Sequence, residues 1–486
     1  MDLGARTGKE YLKGLDSNPR EIWISGEKVS RDITRYPKFR AIAQSISDLY
    51  DIQHEPDLID QMTYVSPSSA ERVGVSFLQP KTQADLAKRH QMMKNWADYS
   101  GGMLGRTPDY LNSDLMALAS ASKFFGRKDS RFGENVKKYY EFVRENDLLM
   151  THTLIHPQAN RSLGPSKQTD PFLASRIVDK NDEGVIIRGA RMLATLPLAD
   201  EIMVFPSTVI RGTSDDMPYS FGFAIPVGTK GLKFLCRESF AEESRFDHPL
   251  ASRFDEQDAV VIFDDVVVPW DRIFFLEDVE TANSLQEVSG GIVHMAHQVM
   301  IKNIAKTEFI LGVVSLIGDT IGINEFQHVQ EKIAKVIILL ESLRAMVRAS
   351  EADAVENQWG IMTPDFKPLN AGRNLFPRLY PNLRAVIQQL SASGLMALPT
   401  EKDMQSEIRP EIDKYYQAKN TSSEERIRLF RLAWDIAGSS FGSRQELYER
   451  FFFGDPVRMA GALFNWYDKE PYKSRVRKLL GDSSTK

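Results

Sequence analysis

Ser175-Arg176-Ile177-Val178-Asp179-Lys180-Asn181-Asp182-Glu183-Gly184-Val185-Ile186-Ile187-Arg188-Gly189 reads as a strand, a turn that contains glycine, and a second strand. β-Branched residues fill the two arms, and the polar run Asn181 to Gly184 separates them. More of the same pattern follows. Strands are expected from Ser220 to Val227, from Gly231 to Cys236, and from Ala259 to Val268. The last of these ends at Pro269-Trp270, where a residue without an N–H suits a strand terminus. A β block therefore begins just after Met150 and runs to about residue 275.

On both sides of this block the period is helical. Upstream, helices are expected around 38–50, 81–99, 110–125 and 133–149, with Thr82 and Asn112 as candidate caps. A short strand pair is expected within Glu21 to Val29, turning at Ser25-Gly26. Downstream, Ile333, Val336, Ile337, Leu340, Leu343 and Val347 fall on one stripe at spacings of three and four, which predicts a bundle helix. Other helices are expected at 282–318, 378–396 and 424–452, and Pro364, Pro368, Pro377 and Pro381 mark an irregular connection between them. The expected organisation is an N-terminal helical domain over 1–150, a central β-domain over 151–277, and a C-terminal helical bundle and tail over 278–486. The fold class is α+β and mainly helical.

Composition narrows the function classes. The chain has 486 residues, 42% of them hydrophobic and 26% charged, with a net charge of −5. These are ordinary values for a soluble globular protein and offer nothing to nucleic acid. The one basic cluster, Lys473 to Lys478, reads as the solvated face of a last helix. A single cysteine, Cys236, excludes an intrachain disulfide and any cysteine cage for zinc or an iron–sulfur cluster. It fits a reducing cytoplasm. The first residues lack an apolar core of the secretory-signal type. The longest apolar run, Phe309 to Ile323, is broken by Gly312, Ser315, Gly318 and Asp319, and reads as a buried helix.

Several chemistries have no motif here. No G-x-G-x-x-G follows a strand, and there is no P-loop, no G-x-S-x-G elbow and no H-E-x-x-H. His294 and His297 lie three apart, as do Glu325 and His328. A carboxylate-bridged metal site needs a second E-x-x-H on another helix, and the sequence has only one. All four are expected on exposed or interface helix faces, with no metal.

Three polar stretches stand out against the core patterns: Arg106-Thr107-Pro108-Asp109-Tyr110, Thr151-His152-Thr153-Leu154-Ile155-His156-Pro157-Gln158-Ala159-Asn160-Arg161, and Gly454-Asp455-Pro456-Val457-Arg458. An arginine just before a helix-starting proline can steady an anion, and a phenol can donate to an oxyanion. A histidine, with an ordinary pKa near ~6.5, is the natural acceptor of a phenolic proton. Taken alone, each also has a plain reading as a surface arginine, a packed tyrosine and a structural histidine.

Together, in this order, the three stretches resemble the oxygenase components of two-component, reduced-flavin-dependent phenol hydroxylases. The block order resembles the wider acyl-CoA dehydrogenase superfamily, carried by the hairpin through Asp182-Glu183-Gly184, by Ala199 to Val204, and by Phe263 to Pro269. That resemblance implies a central antiparallel β-barrel or sandwich and a C-terminal four-helix bundle. It implies that Arg106, Tyr110 and His152 line the substrate pocket and act in catalysis, with Ser207 and Thr208 contacting substrate from a strand-end loop. It further implies that FAD, used reduced, is held by His152, Gln158, Ala159, Asn160, Arg161 and Thr195. Gly454, Asp455, Pro456 and Val457 would border the flavin across a subunit contact. His156 receives no role.

The implied reaction is ortho-hydroxylation of a phenol with dioxygen, with reduced FAD supplied by a separate NADH-dependent reductase. The absence of a Rossmann motif agrees with that division of labour. A homotetramer is implied by analogy. The phenol stays open: 4-hydroxyphenylacetate comes first, beside a chlorophenol, a nitrophenol or a larger tyrosine-derived compound. An acyl-CoA-dependent flavoenzyme on the same scaffold and a non-flavin metal protein are the other open classes. The CoA-dependent dehydratases of the superfamily need iron–sulfur cysteines that this chain lacks.

Overall fold

Strand Gly184–Thr195 lies antiparallel to strand Asp258–Pro269, and this long pair is the spine of the β region. The computed structural model describes residues 4–157, 159–206, 210 and 213–481. The second strand alternates in burial, with Ala259, Val261, Phe263, Val266 and Val268 facing the core. The alternation slips once, at a register shift between Phe263 and Val266 where Asp265 takes a φ of 50°.

Around the pair, one sheet of six strands runs in the order Glu27–Val29, Ile22–Ile24, Leu232–Cys236, Asp258–Pro269, Gly184–Thr195, Arg176–Lys180. A second sheet of four runs Ile273–Leu276, Phe221–Pro226, Glu201–Val204, Met150–Thr153. The expected strands are all present, and Ile273–Leu276 is one the periodicity did not reveal. Of the antiparallel barrel or sandwich expected here, the described residues show no closed barrel: the two large sheets are open, and each contains a parallel pair. Ile22–Ile24 joins Leu232–Cys236 in parallel, as Met150–Thr153 joins Glu201–Val204. Parallel neighbours need long crossovers, and both pairs are joined through long stretches of chain.

The N-terminal helices include Pro37–Ile52, Gln83–Tyr99, Pro108–Ser120 and Ser130–Asn146. Thr82 caps its helix through a reciprocal pair with Asp85. Asn112 is not a cap. Its helix starts earlier, at Pro108 after Thr107, and Asn112 is buried in the interior, donating to Ser76 Oγ at 2.9 Å. Ser25 and Gly26, at φ 51° and 82°, make the predicted hairpin turn.

Downstream, helices Gly291–Ile321, Gln327–Ala352, Phe366–Ser391 and Ser423–Ala437 pack as a bundle. Three expectations change here. The 282–318 segment is two helices, Val279–Ser289 and Gly291–Ile321, divided by Gly290 at φ 77°. The 424–452 segment is likewise divided, at Gly438, into Ser423–Ala437 and Ser440–Phe451. Pro377 and Pro381 lie inside helix Phe366–Ser391 and not in a connection. Each interior proline costs about 3 kcal/mol, and burial of Phe376, Tyr380 and Leu383 on the bundle core offsets it. On the predicted stripe, Val336, Leu340, Leu343 and Val347 are buried, but Ile337 is exposed. Among the described residues no helix is long and apolar enough to cross a membrane.

Candidate active site

A cavity of about 1260 Å³ lies where the sheets meet the bundle. Its walls come from elements far apart in sequence. Arg106 and Tyr110 enter from the start of helix Pro108–Ser120, His152 from strand Met150–Thr153, and Tyr448 and Phe452 from the end of helix Ser440–Phe451. Met192, Leu193, Leu235 and Val260 form an apolar sheet wall. Leu193 and Leu235 are each 51% exposed, so this wall presents an open apolar face to the cavity. Leu193 also holds a φ of 65°, a left-handed conformation uncommon for a leucine.

The conformation of Arg106 is set from three sides. Its backbone N–H donates to Glu256 Oε1 at 2.6 Å, and that of Gly105 to Glu256 Oε2 at 2.9 Å. Its Nη1 donates to the Tyr448 hydroxyl at 2.8 Å. The guanidinium carbon stands 4.7 Å from the Tyr110 ring centre and 4.6 Å from that of Phe452. A cation enclosed by aromatic faces in a nearly dry site is held in place without a carboxylate partner that would cancel its charge. Its Nε is buried with no hydrogen-bond partner among the described residues.

His152 sits opposite Met203 in the parallel pair, 9% exposed, with its ring centre 5.9 Å from that of Tyr110. Burial, and then the nearby Arg106 charge, hold the imidazole far below its ordinary pKa, so it is neutral. Its Nδ1 is buried with no partner among the described residues. Burial raises the Tyr110 hydroxyl above its ordinary range, with Arg106 opposing, so it stays a donor. One cavity end therefore combines a fixed cation, a protonated phenol and a neutral imidazole.

Asp114, one turn after Tyr110, also lines the cavity. Its Oδ2 accepts from Gln286 Nε2 at 3.1 Å, while Oδ1 has no partner among the described residues. Burial pushes this carboxyl up to about 7. The backbone of Gly291 approaches it so closely that a Cβ there would overlap Asp114 Oδ1.

Opposite, Arg444 binds Asp258 through Nη2 at 2.7 Å and Nε at 2.9 Å, and Glu256 through Nη1 at 3.2 Å. Arg237 reaches Asp258 at 3.0 Å and Asp255 at 2.6 Å. Burial acts to raise the Asp258 carboxyl, but the two guanidiniums win and hold it well below its ordinary range. Behind Tyr448, the buried Lys302 and Lys306 both donate to Glu449 Oε1 at 2.5 Å. Glu256, Asp258, Arg444, Tyr448 and Asp114 all escaped the sequence reading. Their partners lie up to 343 residues away, and no local pattern announces them.

The other predicted residues are distributed unevenly. Thr195 is buried and donates to Asp258 Oδ1 at 2.8 Å, which ties it to the ion network. Gly454 lines the cavity, with the Arg458 guanidinium beside it. Asp455 caps helix Pro456–Trp466, accepting from the Val457 and Arg458 N–H groups at 3.0 Å, and Pro456 opens that helix. Ala159, Asn160 and Arg161 are exposed and not among the cavity-lining residues, and Asn160 Oδ1 accepts from Ser162. Gln158, Ser207 and Thr208 lie outside the described residues. His294 and His297, expected on exposed or interface faces, are fully buried because helix Gly291–Ile321 is surrounded by other helices. Glu325 and His328 are exposed near the start of the next helix.

Known proteins resemble this chain over nearly its whole length. Residues 7–275 match the model of the 4-hydroxyphenylacetate 3-hydroxylase N-terminal region, and residues 282–481 match that of its C-terminal region. The 4-hydroxyphenylacetate 3-monooxygenase oxygenase component of Thermus thermophilus is 48% identical over 480 residues, covering 99% of this chain and 98% of that one. A crystal structure of such an oxygenase component, complexed with FAD and 4-hydroxyphenylacetate, superposes with a TM-score of 0.94 at 48% identity, covering 99% of each chain. A 4-hydroxybutyryl-CoA dehydratase from N. maritimus, 21% identical with a TM-score of 0.89, covers 99% of this chain and 96% of its own and shares the fold alone. The chain belongs to the 4-hydroxyphenylacetate 3-hydroxylase family.

Proposed function

We propose that this chain is the oxygenase component of a 4-hydroxyphenylacetate 3-monooxygenase, turning a phenol into a catechol with dioxygen and reduced FAD. The observation that carries the reading is the cavity end where neutral His152 faces Tyr110 and the aromatic-caged Arg106. A phenol seated there finds an imidazole nitrogen to take its proton. It also finds two donors to hold the oxyanion that results.

The residues present fit FAD. The half-exposed Leu193 and Leu235 offer an apolar face to a flat ring system, and Arg458 beside Gly454 offers a cation to phosphate. The Arg106 Nε adds a donor that has no acceptor among the described residues. Arg161, on the exposed segment after Pro157, would add a second cation, and Gln158, Ala159, Asn160 and Thr195 belong to the same proposed surface. Bound reduced FAD, with dioxygen, supplies an electrophilic oxygen. The chain's own part is position, proton placement and exclusion of water. His152 holds the phenolic proton, which makes the ring carbon beside the oxygen nucleophilic. Arg106 and Tyr110 keep that oxygen oriented, and Phe205, Phe452 and Phe453 keep the cavity dry. Ser207 and Thr208 are proposed to hold the substrate's carboxylate.

The same reading includes a separate NADH-dependent flavin reductase, a homotetramer, a cytoplasmic location and three domains bounded near 150 and 277. The relative's description as an oxygenase component supports the reductase, and the lone Cys236 supports a reducing compartment. For the oligomer, helices Pro456–Trp466 and Glu470–Leu479 have no buried residue, although Val457 is 80% exposed and Phe464 65%. The apolar residues that Pro456–Trp466 leaves exposed call for a covering chain.

The test is rapid mixing of the protein, loaded anaerobically with reduced FAD, with oxygenated buffer with and without 4-hydroxyphenylacetate. Catechol formed in proportion to flavin oxidised supports the assignment. Hydrogen peroxide alone in the presence of that phenol rejects it as substrate. Flavin oxidation at the rate of free flavin rejects the function.

A further inference from the structure

Away from the cavity, three helices bring two imidazoles and a carboxylate to one point. His90 comes from helix Gln83–Tyr99, His297 from Gly291–Ile321, and Glu351 from the end of Gln327–Ala352. Glu351 Oε1 lies 2.6 Å from His90 Nδ1 and 2.7 Å from His297 Nε2. All three donor atoms lie within 4.8 Å of one another. The two rings meet edge to face, with centres 6.2 Å apart. His297 is fully buried, while the side chains of His90 and Glu351 are 32% and 23% exposed, so the cluster is closed on one side and open to solvent on the other.

We propose that His90, His297 and Glu351 form a binding site for a late first-row divalent cation of the zinc type, separate from the flavin and phenol cavity. Two imidazole nitrogens and one carboxylate oxygen are a donor set such cations favour, and they leave a fourth position for water on the open side. Without the ion, the carboxylate accepts a hydrogen bond from each ring. With it, the ring lone pairs at His90 Nδ1 and His297 Nε2 turn toward the ion, and each ring proton moves to its other nitrogen. Small side-chain shifts suffice, because the donor atoms already converge. A second feature bears on affinity. His297 Nδ1 is buried with no partner among the described residues, so this ligand lacks the outer acceptor that usually orients a metal-bound histidine. A missing outer partner weakens a site by about 10–100-fold, so exchangeable binding is expected. The ion would add a further tie between the N-terminal helices and the bundle, which already pack on each other there.

The experiment is a titration of chelator-treated full-length protein with Co²⁺, followed by the visible bands of four-coordinate cobalt. Zn²⁺ competition and metal analysis after dialysis accompany it. One equivalent per chain with tetrahedral bands is expected, displaced by Zn²⁺ and accompanied by a rise in melting temperature. His90→Ala and Glu351→Gln are expected to abolish both the bands and the thermal shift. His90 is partly exposed, so its replacement leaves the core intact. His328→Ala, at a surface histidine outside the cluster, is expected to change neither. Absence of the bands, or bands and stoichiometry that survive His90→Ala and Glu351→Gln, would overturn the site and leave a hydrogen-bonded triad only.

Discussion

The Tyr448 hydroxyl accepts a hydrogen bond from Arg106 Nη1 at 2.8 Å and donates its own proton to the Gly105 carbonyl at 2.9 Å. One phenol from helix Ser440–Phe451 thus fixes both the side chain of Arg106 and the backbone before it. The contact is so close that a Cβ on Gly105 would overlap the Tyr448 ring. Tyr448→Phe keeps the ring and removes both bonds. A hydrogen bond to a charged group is worth about 1.5–3 kcal/mol, so kcat for hydroxylation is expected to fall about tenfold or more. Peroxide release should rise at the expense of catechol. Unchanged coupling of catechol to flavin oxidation would remove Tyr448 from the positioning of Arg106.

His152→Asn should reduce catechol formation by about 10²–10⁴-fold, the usual share of a positioned proton acceptor. The same variant tests the neutral state of the ring. A buried imidazole with a depressed pKa binds fewer protons than it does unfolded, so it lowers stability as pH falls below ~6.5. Melting temperatures from pH 7 down to 5 should fall less steeply in the variant. Parallel curves for the two proteins would contradict a buried neutral His152.

Asp114 carries the opposite sign. Its carboxyl is pushed up to about 7, against ~3.9 for an unfolded aspartate. Between those values the native state holds a proton that the unfolded chain has lost, so this group lowers stability as pH rises from about 4 to 7. Asp114→Asn, which mimics the protonated acid and keeps the Gln286 contact, should flatten that part of the stability profile. It should also remove any limb near pH 7 from the hydroxylation profile. A variant with the parent's stability slope and activity limb would place the proton elsewhere.

Asp258 is held low by Arg444 and Arg237 despite its burial, so its contribution is present at neutral pH and is lost as pH falls below ~4. Asp258→Asn leaves two guanidiniums facing each other with their shared carboxylate gone. Breaking a buried pair in this way costs about 3–5 kcal/mol, which should appear as a marked loss of melting temperature at pH 7 that narrows toward pH 3. Because Arg444 also contacts Glu256, which holds the Gly105 and Arg106 backbone, activity should fall as well. A variant as stable as the parent at pH 7 would contradict the buried network.

Much of the β region was legible because a β-branched run closed by turn residues is a local signal. Val185 to Ile187 and Ala259 to Val268 are such runs, so their strands could be placed from neighbours alone. The same holds for Thr82, whose cap partner Asp85 lies three residues away. Where the reading failed, a distant contact had outweighed a local preference. Pro377 and Pro381 belong by propensity to a connection, yet packing of Phe376 and Tyr380 keeps them in a helix. Ile337 shares the spacing of a core stripe but lies on the solvent side of its helix.

The candidate site divides along the same line. Arg106, Tyr110 and His152 belong to short polar stretches that no core pattern explains, and it is the resemblance of those stretches, in order, to a known family that nominates them. The sequence by itself determined the block order, the residue types available for phenol chemistry, and the absence of cysteine cages and dinucleotide motifs. Only the tertiary structure decided that Tyr448 and Phe452 enclose Arg106, that Asp258 joins Arg444 to Arg237, and that His90, His297 and Glu351 meet. Those relations depend on where helices hundreds of residues apart cross. Crossing positions come from side-chain packing and from the burial of charges that must find partners, and neither leaves a periodic trace along the chain.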